Sequence, residues 1–303
     1  MTYALLFSGQ GTQHPGMLPW LEEAPASQAV LHTLAQTIGG DWRCGLQDAA
    51  QRSRNRFAQP LLTGTAVAAW AALAAVLDEP PVAVAGYSVG ELAAYACAGV
   101  FGADTSIALA AQRAALMDAA VQGLDTGLLS VSGRRVDAVL QAQPAWDCAI
   151  DIGVDHAIYA GELPALTAGA QALTALGASC KLLEVRVASH SRWMASASDA
   201  LAKALAPIPF ARPHTRLVLN ATGASTQDPQ TLRNALSAQV SHTVQWAACM
   251  DTLAEQGVAC VLEIGAGTTL ARMWNQRHPS VPARSMEDFR DAAGAARWLG
   301  RVC

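Results

Sequence analysis

Ser88 lies in Gly86-Tyr87-Ser88-Val89-Gly90, a G-x-S-x-G pentapeptide entered from the apolar run Val82-Ala83-Val84-Ala85 and left through the helix-forming Glu91-Leu92. A serine at a sharp strand-to-helix bend projects its hydroxyl above a sheet edge, where it can act as a nucleophile. Gly86 and Gly90 lack the Cβ that would keep the crossing backbones apart. The helix that follows aims free N–H groups and the positive end of its dipole at the serine, which suits a developing oxyanion. The bare pentapeptide also fits an ordinary strand–turn–helix with a serine cap; the strand before it favours the nucleophile.

Such a serine needs a base, and the chain has seven histidines. His14, His32, His214 and His278 sit in polar or proline-flanked sequence and read as exposed, while His156 and His242 stay open. His190 follows the alternating run Leu183–Val187, in Val187-Ala188-Ser189-His190-Ser191. The end of a strand in an α/β sheet is where sites are built, and a nucleophile demands one partner. Gln10, in Ser8-Gly9-Gln10-Gly11-Thr12-Gln13 after the first apolar run, sits in a turn that exposes backbone N–H groups. Its amide and that of Val89 are candidate oxyanion donors, although a simple strand-to-loop turn explains the glycines as well. Arg113 lies in the apolar helical stretch Ile107–Met117, with no acidic residue at positions 109, 110, 116 or 117. An unpaired guanidinium facing a cleft is a bidentate receptor for a substrate carboxylate; snorkelling or pairing is its ordinary use.

Positioning these groups requires an alternating α/β framework. Tyr3–Phe7, Val82–Ala85, Leu217–Asn220 and Cys260–Ile264 read as buried strands, with helices expected near 27–38, 61–77, 91–98, 104–121, 193–205 and 244–256. That alternation predicts an α/β domain with a mostly parallel sheet. The middle of the chain differs. Strands at Leu128–Val131, Cys148–Ile152, Ala157–Ala160 and Lys181–Arg186, with helices at Val136–Gln141 and Leu163–Leu176, follow a β-α-β-β-α-β order. This is the ferredoxin-like pattern, and it predicts an insertion over 124–187 within a larger domain made of 1–123 and 188–303.

Composition excludes several classes. With 303 residues, 52% hydrophobic and 15% charged, the chain can bury a large core, which rules out disorder and a small disulfide scaffold. A net charge of −4 and no Lys/Arg cluster leave no footprint for nucleic acid. The seven cysteines, at 44, 97, 148, 180, 249, 260 and 303, form no C-x-x-C pair and read as free thiols in a reducing cytoplasm. The start carries no charged n-region, so no signal peptide is expected. Between Phe57 and Leu77, Pro60 and Gly64 leave Ala66–Leu77 as the continuous helical part. Those residues rise about 18 Å, too short for a ~30 Å bilayer core, so a buried helix and no membrane association are expected.

Several segments together resemble the malonyl-CoA:acyl carrier protein transacylases and the acyltransferase domains of polyketide synthases. Phe7-Ser8-Gly9-Gln10-Gly11-Thr12-Gln13 resembles the family's F-P-G-Q-G-S-Q, and Gly86-Tyr87-Ser88-Val89-Gly90-Glu91 its G-H-S-L-G-E. Gln112-Arg113 stands where the family keeps a carboxylate-binding arginine, and Val187-Ala188-Ser189-His190 is similar to its catalytic histidine segment. Gln239, seven residues before Trp246, resembles the glutamine whose backbone carbonyl orients that histidine, and Glu263-Ile264-Gly265-Ala266-Gly267 resembles a late E-x-G-P-G turn. The likeness covers nearly the whole chain. It departs at Ser8, Tyr87, Ala266, Thr268 and Asp151–His156; Tyr87 and the Asp151 region would border the acyl pocket. The opening and the elbow look closer to the malonate decarboxylase epsilon subunit, which charges a dedicated carrier protein.

The resemblance implies an α/β-hydrolase-like domain with a ferredoxin-like insertion, no cofactor beyond the coenzyme A thioester as substrate, no metal, and ping-pong transfer from malonyl-CoA to the phosphopantetheine thiol of an acyl carrier protein. Ser88 would carry the acyl group, His190 would activate it, Gln10 and Val89 would bind the oxyanion, and Arg113 the free carboxylate. A serine thioesterase or esterase releasing the acyl group to water shares Ser88 and His190; Arg113, Gln239 and the lack of a clear triad aspartate favour transfer. A non-catalytic docking subunit has no physical need for Ser88, His190, Arg113 and Gln10 together.

Overall fold

The computed structural model describes residues 1–303. Eleven strands form two sheets: β1 (Tyr3–Phe7), β2 (Ala83–Gly86), β3 (Thr126–Ser132), β4 (Asp147–Gly153), β5 (His156–Glu162), β6 (Ser179–Leu182), β7 (Arg216–Val218), β8 (Ser225–Thr226), β9 (Val244–Gln245), β10 (Cys260–Ile264) and β11 (Ala283–Ser285). The first sheet runs β11-β10-β1-β2-β7-β8 and is parallel except for the short edge strand β8. Its strands β1 and β10 are buried at every position and apolar except for Glu263 of β10, as strands covered on both faces must largely be. Successive residues of β1 serve opposite faces. Tyr3, Leu5 and Phe7 enter the large core under helices such as Asn55–Ala74 and Gly90–Cys97; Ala4 and Leu6 enter a second core on the other side.

That second core is shared with the other sheet, whose order is β6-β3-β5-β4-β9. Leu128, Ile150, Ile152 and Ile158 of this sheet pack with Ala4, Leu6, Ala85 and Val218 of the first, alongside helices Trp246–Ala254 and Thr269–Arg277. On its outer face Leu129, Val131, Trp146, Tyr159, Leu166 and Leu173 close a small core under helices Val136–Ala142 and Leu163–Ala175. β3 to β6 are antiparallel to their neighbours, whereas β9 pairs parallel to β4, Ile150 opposite Val244.

Several expectations need correction. The helix expected at 61–77 spans Asn55–Ala74, and passes through both Pro60 and Gly64. Pro60 lies in its second turn, where the carbonyl left unpaired belongs to the exposed Arg56. Its 20 residues are long and apolar enough to cross a membrane, but 83% of its most apolar 18-residue window is buried inside the protein. The strand expected at Lys181–Arg186 is β6, ending at Leu182. Beyond it Leu183 and Val185 still pack on the shared core, but the chain bends at Glu184 and Val187 on its way to His190 and no longer pairs in the sheet. The start of the helix expected at 244–256 is instead the strand β9, so a segment from outside 124–187 completes the second sheet. The cysteines are not all free: Cys260, at the start of β10, is bonded to Cys303 with their Cα atoms 6.2 Å apart. Cys44, Cys97, Cys148, Cys180 and Cys249 remain thiols.

Candidate functional site

β2 ends at Gly86, Ser88 takes a positive φ of 55°, and the helix Gly90–Cys97 begins two residues later. The bend is tight enough to exclude side chains at both glycines. A Cβ on Gly86 would lie 2.1 Å from the Gly90 carbonyl, and one on Gly90 2.3 Å from the Phe7 oxygen. The second contact, with the hydrogen bond from Tyr87 N–H to Phe7 O (2.9 Å), sets the loop after β1 against the elbow. Gln10 sits in that loop. Neither the Gln10 N–H nor the Val89 N–H donates to any protein group, so both remain available to a ligand.

His190 also has a positive φ, 61°, and is buried. Its Nε2 lies 2.7 Å from Ser88 Oγ and its Nδ1 2.5 Å from the Gln239 carbonyl oxygen. A carbonyl only accepts, so Nδ1 carries the proton and Nε2 presents its lone pair to the serine hydroxyl. Burial, and then the positive charge of Arg113, push His190 down to about 3, against the bond it donates to the Gln239 carbonyl. The imidazole is therefore neutral at ordinary pH, the form a base requires.

Arg113, on the helix Ala103–Ala120, is 2% exposed and has no ion pair within contact distance. Its Nη1 donates to Gln59 Oε1 (2.7 Å), and its Nη2 to Gln239 Oε1 (3.2 Å) and, at 3.4 Å, to Ser88 Oγ. Its Nε has no partner. Burial lowers this guanidinium to about 10, an effect opposed by the charge of Glu91. Glu91 is itself fully buried at the start of the elbow helix and is raised to about 8, chiefly by burial. A cation ringed by neutral amides beside a serine hydroxyl keeps much of its field for an incoming anion.

The structure thus brings Ser88, His190, Gln239 and Arg113 together, with Val89 adjoining. An open cavity of about 370 Å³ lies between the two sheets, lined by Gln10, Tyr87, Ser130, His156, Lys181 and Thr269 among others. Ser88, His190 and Arg113 do not line it; Arg113 is packed beneath the serine rather than facing this open cleft, because Gln59 and Gln239 cover it. Tyr87 lies between, with its ring edge-on to Trp246 at 5.0 Å. His156 bonds Ser130 Oγ (3.2 Å) on the cavity wall, and His242 is exposed beside Ser241. His14 and His278 pair with Glu287 and Asp251, not with the serine. Gln59, Glu91 and Asn220 were not singled out from sequence. Each leaves a trace there: a polar residue in an apolar helix, an acid directly after the elbow, and an amide closing a strand.

The sequence and the fold both have known relatives. Residues 4–298 match the model of the acyl transferase domain. The malonyl CoA-acyl carrier protein transacylase of Mycobacterium tuberculosis is 34% identical over 294 residues, covering 95% of this chain and 97% of that protein. The crystal structure of MCAT from Mycobacterium tuberculosis superposes with a TM-score of 0.90 at 32% identity, over 98% of this chain and 100% of that one. A malonyl-transacylase solved in complex with its type II PKS acyl-carrier protein has a TM-score of 0.90 at 28% identity, over 98% and 99% of the two chains. A match of this extent, in sequence and in fold, means that the chain belongs to the acyl transferase domain family.

Proposed function

We propose that the chain transfers a malonyl group from coenzyme A to the phosphopantetheine thiol of an acyl carrier protein through an acyl-Ser88 intermediate. The observation that carries it is one oxygen, Ser88 Oγ, held 2.7 Å from a neutral histidine nitrogen and 3.4 Å from a buried guanidinium. His190 Nε2 takes the Ser88 proton as Oγ attacks the thioester carbon. The oxyanion forms on the free N–H groups of Gln10 and Val89, and collapse expels the coenzyme A thiolate, which His190 protonates. The carrier thiol then gives its proton to His190, attacks the acyl-serine and restores Ser88. Gln239 orients the imidazole through its carbonyl, where a triad would use a carboxylate. Arg113 takes the free carboxylate of malonate, and Tyr87 borders the acyl pocket between Ser88 and the cavity. The names of the relatives support the choice of malonyl-CoA and carrier protein as substrates.

The same proposal treats 1–123 with 188–303 as an α/β-hydrolase-like body and 124–187 as a ferredoxin-like insertion. The order β6-β3-β5-β4 and the β-α-β-β-α-β course of that segment support the second label. It also includes a cytoplasmic setting and no cofactor beyond the thioester substrate. The test is intact-mass analysis after exposure to malonyl-CoA or acetyl-CoA. Malonyl is expected on Ser88, with no adduct on Ser88→Ala; an adduct on the alanine variant overturns the mechanism. Partition of the acyl-enzyme between holo-carrier protein and water then separates transferase from thioesterase, and the rates for a fatty-acid, a polyketide and a malonate decarboxylase carrier rank the acceptors.

A further inference from the structure

The Ser88 turn is braced from beneath by a side chain with no part in the chemistry above. Asn220 follows β7, is fully buried, and has all its polar groups engaged. Its Oδ1 accepts from the Ser88 N–H (2.8 Å) and its Nδ2 donates to the Gly86 carbonyl (2.6 Å). Its own N–H donates to Glu91 Oε1 (2.7 Å), and its carbonyl accepts from the Gln245 N–H (2.8 Å). One rigid amide therefore spans the two peptide groups that flank Tyr87, while its backbone is anchored both to the elbow helix and to β9. A serine at φ 55° holds that conformation only when its surroundings over-determine it.

We propose that Asn220 is the positioning residue of the nucleophile. Its amide locks the left-handed backbone of Ser88 and, by occupying the Ser88 N–H, leaves oxyanion binding to Gln10 and Val89. This inference rests on Ser88 being the nucleophile. Without the amide, the Ser88 N–H and the Gly86 carbonyl lose their partners in a buried site, and the turn relaxes to recover them. Oγ then moves off the line between His190 and the acyl carbon, and a displacement of about 1 Å costs roughly 100-fold in rate.

The test is the rate at which a fluorophosphonate probe labels Ser88 in the full chain, alongside Ser88→Ala. A wild-type protein that fails to label at Ser88 refutes the nucleophile itself, whatever Asn220 does. With wild-type labelling established, Asn220→Ala is expected to lower the maximal labelling rate ~10- to 100-fold. The half-saturating probe concentration and the final stoichiometry of one label per chain should be unchanged. A wild-type rate overturns the proposal. So does reduced stoichiometry with a wild-type rate in the labelled fraction, which marks a merely structural residue. Asn220→Asp decides the matter where the alanine variant does not fold. Its carboxylate accepts from Ser88 N–H but cannot donate to Gly86, so its maximal labelling rate should fall below that of the wild type, and a wild-type rate again overturns the proposal.

Discussion

Arg113→Ala removes a guanidinium that stands 3.4 Å from Ser88 Oγ. In a malonyl-serine the free carboxyl carbon lies two bonds past the ester carbonyl carbon, within reach of that cation. At a separation of about 4 Å and an effective dielectric near 20 the attraction is about 4 kcal/mol. Stripping water from the carboxylate takes back part of this, leaving ~2–3 kcal/mol, the upper part of the range for a hydrogen bond to a charged group. Malonyl-CoA should therefore lose roughly 30- to 150-fold in kcat/KM relative to acetyl-CoA. The ratio matters more than either rate. Without Arg113 the Oε1 atoms of Gln59 and Gln239 lose a donor, and Gln239 also holds His190, so acylation by any thioester will shift. Division of one substrate by the other cancels that common effect. The assay is single-turnover acylation at fixed pH with each thioester, with Arg113→Lys expected to retain part of the preference as a point charge without the fork. An unchanged ratio in Arg113→Ala refutes the carboxylate clamp.

Because His190 is pushed down to about 3 from an ordinary 6.5, acylation measured by pH jump should show no loss as pH falls through 6.5. Arg113→Ala, which removes one of the two depressing causes, should move the acid limb upward; a wild-type midpoint near 6.5 contradicts the buried neutral imidazole. Glu263, buried in β10 with Oε1 unpaired, is raised from 4.5 to about 8 by burial. Its protonated folded form contributes stability that is present below pH 4.5 and is lost as pH rises toward 8. Glu263→Gln keeps an acceptor for the Ala271 N–H without that loss, so its melting temperature should gain on wild type between pH 5 and pH 8, and parallel melting curves refute the assignment.

Much of this site was legible because its chemistry is local. The Ser88 elbow depends on residues within one strand–turn–helix, and Gly86 and Gly90 announce a close approach that the structure makes with the Phe7 carbonyl. The first-sheet strands β1 and β10 were readable to the residue, being short apolar runs with clear ends. The buried amides were harder. Gln59 and Asn220 meet Arg113 and Ser88 across 54 and 132 residues of chain, and no periodicity encodes that meeting. The two-residue strand β9 was hidden under the helical pattern of the Trp246 segment, since pairing to β4 rather than intrinsic preference makes it a strand. The Cys260–Cys303 bond joins residues 43 apart, and cysteine spacing alone does not specify a partner.

The pairing of β9 with β4 constrains how substrates can enter. Thr243 Oγ1 also donates to the Cys148 carbonyl (2.7 Å), and the Arg192 N–H to Asp147 (2.8 Å), so β4 is riveted to the chain at two points, shortly after Gln239 and just after His190. Swinging 124–187 outward as a hinged flap would drag the histidine and its carbonyl prop with it. Admission of a bulky thioester then falls to side chains around Tyr87 and to the loop carrying Gln10, and the cost of opening is a matter of rotamers rather than of whole-body motion.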